Sequence, residues 1–469
     1  MASQATARSD DGEIVVGPQP GFQTRFLSSP ADITIGGGAG GSGKSYAELL
    51  APVKWVHLPD FRCTFFRRSM EEIRDQGGLW DESVKLYLPM GAKPLEHTAE
   101  WRWPSGARIS MDHLQYENTV YHKQGSQIAL LIFDELTHFL DSQFWYLQSR
   151  NRSGCGIKPY TLATCNPDPD SWVAKLIEWW IDQETGFPIK ERAGKLRYFT
   201  RIDGEMVWGS SRREVLATVP PGSGLTAMDV QSLTFIPGTL DDNPRMVDKD
   251  PRYRGKLLAM TRVNRARLLE GNWKVRASSG SYFKKSDVHM LDVAPSNVVA
   301  STRRWDLAAS EPTETNKNPD WTCGVKLGRY PDGRFVVLHA EFARKRSGEV
   351  RALIQRVAKD DGERCSVGVP QDPAQAGKDQ ADSYILDLAG SDVYAERETG
   401  DKETRAEPCA AQWQHQHIDV VRGPWNDQFF GQLEAFPDPK VHDDAVDALS
   451  GAFRHLLEEP GPASYFRKR

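Results

Sequence analysis

Residues 36–45 read GGGAGGSGKS and contain the spacing G-x-x-x-x-G-K-[ST] on Gly38, Gly43, Lys44 and Ser45. Across Gly38, Ala39, Gly40, Gly41, Ser42 and Gly43 the near absence of side chains lets successive backbone N–H groups turn toward one anion. Lys44 can then reach the β- and γ-phosphates of a nucleotide, and the Ser45 hydroxyl can sit on Mg²⁺. A flexible glycine-rich linker could match this spacing by accident, so the neighbours matter. Residues 128–133 (IALLIF) form a continuous apolar run that ends in Asp134 and Glu135. An acid in the place of Asp134 can order the metal, and one in the place of Glu135 can polarise an attacking water. Residues 160–164 lead to Cys165-Asn166-Pro167, where Thr164 and Asn166 could sense a γ-phosphate or simply shape an Asn-Pro turn. Upstream, Gln23 carries an amide that can donate and accept together, as an adenine edge requires, although an isolated glutamine is often just solvated.

The second half offers a different chemistry. Asp306 lies in RRWDLAAS, Asp372 in VGVPQDP, and Asp443 and Asp444 open HDDAVDALSGAF, with Asp447 one turn on. Two divalent cations ~4 Å apart can activate a water and stabilise a leaving 3′-oxygen, provided that carboxylates from separate elements converge. All-oxygen ligands suit Mg²⁺ or Mn²⁺. Singly, each acid has a plainer role: Asp443 and Asp444 complement a helix dipole, Asp372 opens a turn, and Asp306 ends a strand. Of the acids at the helix start Asp444 is the first choice as a ligand, with Asp443 beside it. Asp320 (NPDWT) could assist, and His442 fits either an assisting role or a place next to the helix start.

These residues need elements to hold them. A β-prone run at 32–35 feeds the glycines and a helical start at 46–50 follows them, the strand–loop–helix order that stabilises phosphate. Arg62–Arg67 reads as a strand, Met70–Arg74 as a helical start, and 101–112 as a strand pair turning on Pro-Ser-Gly. Residues 251–273 follow helical spacing with many arginines and lysines, a basic face for DNA or a neighbouring subunit, or a solvated one. The pattern breaks at 277–280. Beyond it, strands at 303–307, 322–327 and 335–341, a helix capped at Ser347, a strand at 366–369 and a last helix with an apolar stripe on Val446, Leu449, Phe453 and Leu456 follow in order.

A length of 469 residues predicts at least two domains. No apolar run is long enough for a membrane span, and MASQATARSDDGE lacks the apolar core of a secretory signal, so the expected setting is a cytoplasm. Six cysteines without a metal spacing suit reduced thiols. A net charge of −5 leaves DNA contacts to local basic faces.

Gln23, the glycine loop, IALLIFDELTHF and ATCNPDPDSW resemble, in order and spacing, the adenine motif, Walker A, Walker B and ATPase-coupling motif of the large terminase subunit of tailed double-stranded DNA bacteriophages. FIPGTLDDNPRM and the segment to LLEGNW are similar to that family's exit from the ATPase. The resemblance implies an α/β chain with an N-terminal P-loop ATPase domain of the ASCE type followed by a C-terminal RNase H-like nuclease domain. The expected division is a mobile segment at 1–18, an ATPase domain at 19–277 with a lid and linker region from about 195, a nuclease domain at 278–460 and a basic tail at 461–469.

Function under the resemblance is a packaging motor. ATP with Mg²⁺ would be bound by the loop, Gln23 and Asp134; Glu135 would be the base, and Thr164 and Asn166 would couple hydrolysis to motion. Asp306, Asp372 and Asp444, with Asp443, would hold two Mg²⁺ or Mn²⁺ for cutting. Double-stranded DNA, a portal protein, a small terminase subunit and a homo-oligomeric ring are the implied partners, in the host cytoplasm and transiently at the procapsid portal vertex, outside the mature virion. Where some relatives carry a trans-acting arginine this chain offers Lys123, so Arg67, Arg68, Arg74 and Arg108 stay open as alternatives. Rival readings are a translocase or helicase whose C-terminal domain only binds, and a capsid-vertex adaptor that uses ATP as a conformational ligand.

Overall fold

The computed structural model describes residues 6–8, 14–220, 222–308, 311–313, 316–371, 375–397 and 400–458, without the side chains of 6–15 and 375–380. The chain divides into two compact units, one of Met1–Leu258 with Asn264–Val275, the other of Ala259–Val263 with Arg276–Arg469. Asp372 and the basic tail lie outside the described residues. Part of the N-terminal segment expected to be mobile forms a ladder, Thr6–Arg8 against Ile14–Val16.

The first unit is built on a ten-stranded sheet. Six central strands run parallel in the order Gln231–Gly238, Ile33–Gly38, Tyr160–Cys165, Leu130–Phe133, Arg62–Arg67 and Arg108–His113. Ile33–Gly38 and Leu130–Phe133 are buried at every position, which is why they read as unbroken apolar or glycine runs rather than as alternation. Antiparallel strands flank this core, Arg197–Ile202 and Glu205–Gly209 on one side, Glu100–Arg102 and Lys93–Leu95 on the other. Chemistry-bearing residues therefore gather at the carboxyl ends of neighbouring parallel strands, where α/β sheets bind ligands.

The stretch at 251–273 differs from the single helical span its spacing predicts. It forms two short helices, Tyr253–Leu258 and Arg262–Leu268. Its cations are engaged locally: Arg254 with Asp241, Lys256 with Asp250, Arg262 with Asp287 and Arg265 with Glu270.

The second unit has a seven-stranded sheet. Ala300–Asp306, Thr322–Arg329 and Phe335–Ala343 are antiparallel neighbours. Cys365–Gln371 joins Ala300–Asp306 in parallel, and Val393–Arg397 joins it in turn. The helix Ser347–Asp361 starts at Ser347 itself and has Arg346 at its cap position without a side-chain bond, so Ser347 is not the cap the sequence suggests. Val446, Leu449, Phe453 and Leu456 of helix Asp444–Glu458 are buried as their stripe predicts. All six cysteines are free thiols. No helix of the described residues is long and apolar enough to cross a membrane.

Two arginines sit inside this sheet. Arg304 is 1% exposed, and a Cβ on Gly451 would come within 2.9 Å of its side chain, so the last helix approaches only because that position is glycine. Arg303, 2% exposed, forks onto Asp361 and donates to the Gly324 carbonyl at 2.7 Å. Lys326 adds a contact to Asp361 at 3.0 Å. Burial opposes the Asp361 charge, but Arg303 and Lys326 hold its pKa below the usual carboxylate value. A depressed pKa gives stability that is complete above the unfolded carboxylate range and is lost as pH falls through the folded value. Asp361→Asn should therefore cost this unit about 3–5 kcal/mol at neutral pH by stranding a buried guanidinium. Denaturant titrations should show the gap to the parent protein narrowing as the solution is acidified.

Candidate active sites

The glycine loop leaves strand Ile33–Gly38 and enters helix Lys44–Leu50 through Gly43, whose φ of 80° is left-handed. A side chain there would be strained, and its Cβ would lie 2.4 Å from Gln23 Nε2. Gln23 is fully buried: its Nε2 donates to the Gly43 carbonyl at 3.1 Å and its Oε1 accepts from the Gln19 N–H at 2.8 Å. The amide expected to read adenine thus has both ends on backbone and ties helix Phe22–Leu27 to the loop. Asn243 makes a second tie by donating to the Gly41 carbonyl at 2.7 Å, and Gln19 Nε2 donates to Asn243 Oδ1 at 2.7 Å. Sequence reasoning missed Gln19 and Asn243, because partners so distant in the chain leave no local spacing to read.

Lys44 Nζ donates to the Ala39 carbonyl at 2.7 Å and to Asn166 Oδ1 at 3.0 Å, so Asn166 meets the loop lysine directly. Burial lowers the Lys44 pKa, against the pull of Cys165, Asp134 and Glu135. Asp134 is 2% exposed and collects three neighbours. Ser45 Oγ and Thr164 Oγ1 donate to its Oδ1 at 3.2 and 3.0 Å, while Arg67 Nε donates to its Oδ2 at 3.0 Å. Arg67 also reaches Glu135 Oε1 at 3.3 Å, and the other Glu135 oxygen lies 3.1 Å from His138 Nδ1. Burial works against the Arg67 charge, but Asp134 and Glu135 raise its pKa above the ordinary value. Glu135 has a φ of 62°, a left-handed conformation that non-glycine residues keep mainly where function holds them.

Arg67, Ser45 and Asp134 face one cavity of about 740 Å³ that Gln23, Tyr46 and Arg245 also line. The hydroxyl and carboxylate oxygens of Ser45 and Asp134 suit a hard cation such as Mg²⁺. Glu48, one turn into the loop helix, is fully buried, and neither carboxyl oxygen has a partner at hydrogen-bonding geometry. Burial, reinforced by the Asp134 charge, pushes its pKa well above the usual range. From sequence it passes for an ordinary helix-surface acid. Lys123, the cation the sequence offers in place of a trans-acting arginine, is paired with Asp112.

In the second unit Asp306 ends its strand opposite Cys323. Asp444 begins the last helix, 5% exposed, and its Oδ2 accepts from Gln432 Nε2 at 3.3 Å. Burial raises the Cys323 thiol well above its usual pKa, and the charges of Asp306 and Asp444 both add to the shift. Burial also raises the Asp444 pKa; Asp320 adds to this and His442 opposes it. Asp320 Oδ1 lies 3.0 Å from His442 Nδ1.

Asp443, expected among the ligands, precedes the helix and is bound by Lys402 at 2.6 Å. Asp447 is bracketed by Lys402 at 2.9 Å and Arg405 at 2.6 Å. Both are therefore engaged with cations, whereas Asp444 is held by the amide of Gln432. Among the described residues no group of three or more His, Cys, Asp or Glu is set to hold a metal ion, and the third expected ligand, Asp372, is not among them.

The family described as terminase large subunit, T4likevirus-type, N-terminal, matches residues 35–290, and the terminase RNaseH-like domain matches residues 303–456. No curated protein is similar enough to count as a match. The large terminase of a thermophilic bacteriophage superposes with a TM-score of 0.59 at 15% identity, over 94% of this chain and 100% of that one. A second crystal form of that terminase gives 0.60 at 15% identity, over 94% and 98%. The same phage protein in complex with ATP-gamma-S gives 0.58 at 15%, over 94% and 98%. At such identity the likeness is one of fold: α/β, with a P-loop ATPase domain followed by an RNase H-like domain, as the motifs imply. Because the first family match alone spans more than half of the sequence, the chain belongs to the large terminase subunit family.

Proposed function

We propose that this protein is the DNA-packaging motor of a tailed double-stranded DNA bacteriophage: its N-terminal domain hydrolyses ATP to drive DNA into a procapsid, and its C-terminal domain cuts concatemeric DNA at the start and end of packaging. One observation carries the reading. A single chain of this family joins a glycine loop whose Ser45 meets Asp134 to an RNase H-like domain with Asp306 at the end of a strand and a buried Asp444 at the start of the last helix.

In the first site the backbone of 38–43 and Lys44 bind the triphosphate, and Gln23 holds the loop in shape for it. Ser45 and Asp134 would hold Mg²⁺, which would offset charge on the phosphates. Glu135 orients the attacking water and takes its proton. Asn166, already on Lys44, and Thr164, already on Asp134, feel the change when the γ-phosphate leaves.

In the second site Asp306, Asp372 and Asp444 would hold two Mg²⁺ or Mn²⁺, which would supply activation of water and stabilisation of the leaving 3′-oxygen. Gln432 orients Asp444, and Lys402 keeps Asp443 beside the site rather than in it. Binding to double-stranded DNA runs through phosphates and is salt-dependent. A portal protein, a small terminase subunit and a ring of copies on the procapsid portal vertex complete the machine, in the host cytoplasm.

Packaging into purified proheads tests the whole reading. Lys44→Ala should stop DNA uptake, and Glu135→Gln should keep ATP binding while lowering hydrolysis by about 10²–10⁴-fold. Asp306→Asn should spare uptake and abolish metal-dependent nicking of plasmid; a parent protein that nicks with neither Mg²⁺ nor Mn²⁺ would leave a translocase with a binding domain.

The raised pKa of Asp444 adds a pH dependence. Ligating a metal requires the carboxylate form, so the Mn²⁺ concentration for half-maximal nicking should fall as pH rises from the ordinary aspartate range through the raised value. A requirement flat across that window would remove Asp444 from the ligand set.

A further inference from the structure

The sheet edge at which Asp306 ends carries a cation that neither site has used. Asp306 lies opposite Cys323, Cys323 opposite Phe342, and Thr322 opposite Ala343. Trp321 and Arg344 come next on their two strands, so backbone register brings both to that edge. The Arg344 guanidinium stacks on the Trp321 ring, 3.9 Å from a ring centroid. Its Nη2 donates to Asn318 Oδ1 and, at 3.1 Å, to His442 Nε2.

We infer that Arg344 is a further DNA-binding residue of the nuclease site: held on Trp321 by His442 and Asp320, its guanidinium takes a backbone phosphate of the duplex that lies across this edge. The inference rests on the nuclease reading above and names a side chain that grips the substrate, apart from the acids that would hold metal.

A guanidinium has hydrogens to give and no lone pair to receive with, so His442 Nε2 is the acceptor of that bond. The ring hydrogen of the neutral imidazole then sits on Nδ1, 3.0 Å from Asp320 Oδ1. Both ring nitrogens are thereby committed, and His442 is a strut between Asp320 and Arg344 rather than a metal ligand. Asp320 is 74% exposed and meets the guanidinium only through the ring, so Arg344 is oriented without being neutralised by contact. Among the described residues no carboxylate lies within ion-pair distance of Arg344, in contrast to Lys402 and Arg405, which close on Asp443 and Asp447. Its Nε is buried without a partner, and Nη1 makes no bond among the described residues, so the fork keeps donors for a ligand.

The surroundings select an anion. Lys317 and Lys345, close by in sequence, are both exposed. A guanidinium already laid flat on an indole loses little freedom on meeting a phosphate, whose oxygens match its fork. Such a contact positions a strand without reading its bases. His442 lies two residues before Asp444, and the Trp321 N–H favours the charged form of that acid, so the same two segments carry the clamp and the acid.

Steady-state nicking of plasmid by the full-length protein with Mn²⁺, at several salt concentrations, tests this role. Arg344→Ala should raise KM for plasmid by about 10-fold, the low end for a charge-assisted bond. It should also flatten the dependence of log KM on log salt by about one unit, the loss of one phosphate contact. Arg344→Lys, which keeps the charge without the fork, should retain the parental salt slope and guards against a misfolded alanine variant. His442→Ala should raise KM less than Arg344→Ala and leave the Mn²⁺ concentration for half-maximal nicking unchanged. The double variant should be no worse than Arg344→Ala alone. A parental KM and salt slope in Arg344→Ala, or the flattened slope in Arg344→Lys as well, would overturn the proposal. So would a His442→Ala variant that needs more Mn²⁺, since His442 would then ligate metal. A parent protein that nicks with neither Mg²⁺ nor Mn²⁺ would overturn the nuclease reading itself.

Discussion

The carboxylate of Asp134 is the point on which the first unit depends. It is nearly enclosed, so its charge is tolerable only if each oxygen is hydrogen-bonded, and the sheet brings the donors to it. Ser45 arrives from the glycine loop, Thr164 from the neighbouring strand and Arg67 from the strand on the other side. The parallel core thus does more than bury apolar surface, because its register fixes which polar residues end at one edge. The same crowding accounts for Glu48. A second buried anion beside Asp134 would raise the cost of both, and the Asp134 charge accordingly adds to burial in raising the Glu48 pKa.

The second unit meets the same constraint with a different distribution of cations. Lys402 and Arg405 engage Asp443 and Asp447, whereas Asp444 is held by the neutral amide of Gln432, whose Oε1 also accepts the Ala445 N–H at 2.8 Å. An acid steadied by a neutral amide can meet an incoming cation without breaking an ion pair, and one locked to lysine or arginine cannot. Strand Ala300–Asp306 carries this contrast along its length, with Arg303 fully paired in its interior and Asp306 at its tip.

What could be read in the sequence was what local pattern controls. The buried strands announced themselves as apolar runs, the glycine loop by its spacing, and the last helix by its stripe. Less was readable where distant groups decide. The spacing through 251–273 is helical, but the Thr261 hydroxyl donates to Glu407 at 2.6 Å and the Arg262 N–H to Gln414 at 2.8 Å, and these long-range bonds begin a new helix at Arg262. Gln23 looked like a base reader because its amide has the right donors, yet backbone at Gly43 and Gln19 takes both ends. Arg67 and Glu48 carried no spacing signal, since their importance comes from which strand lies beside which.

Burial then sorts the charges by task. Exposed pairs such as Arg254 with Asp241 or Lys256 with Asp250 are worth about 0–1 kcal/mol and mostly neutralise the surface around them. Buried and completed pairs such as Arg303 with Asp361 are costly to break and so hold the sheet. Between these extremes lie Lys44, Asp134 and Asp444, buried enough to feel their neighbours strongly yet held by groups that a phosphate or a cation can replace. Lys44 rests on the Ala39 carbonyl and Asn166, which a triphosphate outbids by carrying full negative charge. A side chain in that intermediate condition is stable without its ligand and gains on meeting it, and the two sites share this property although their chemistry differs.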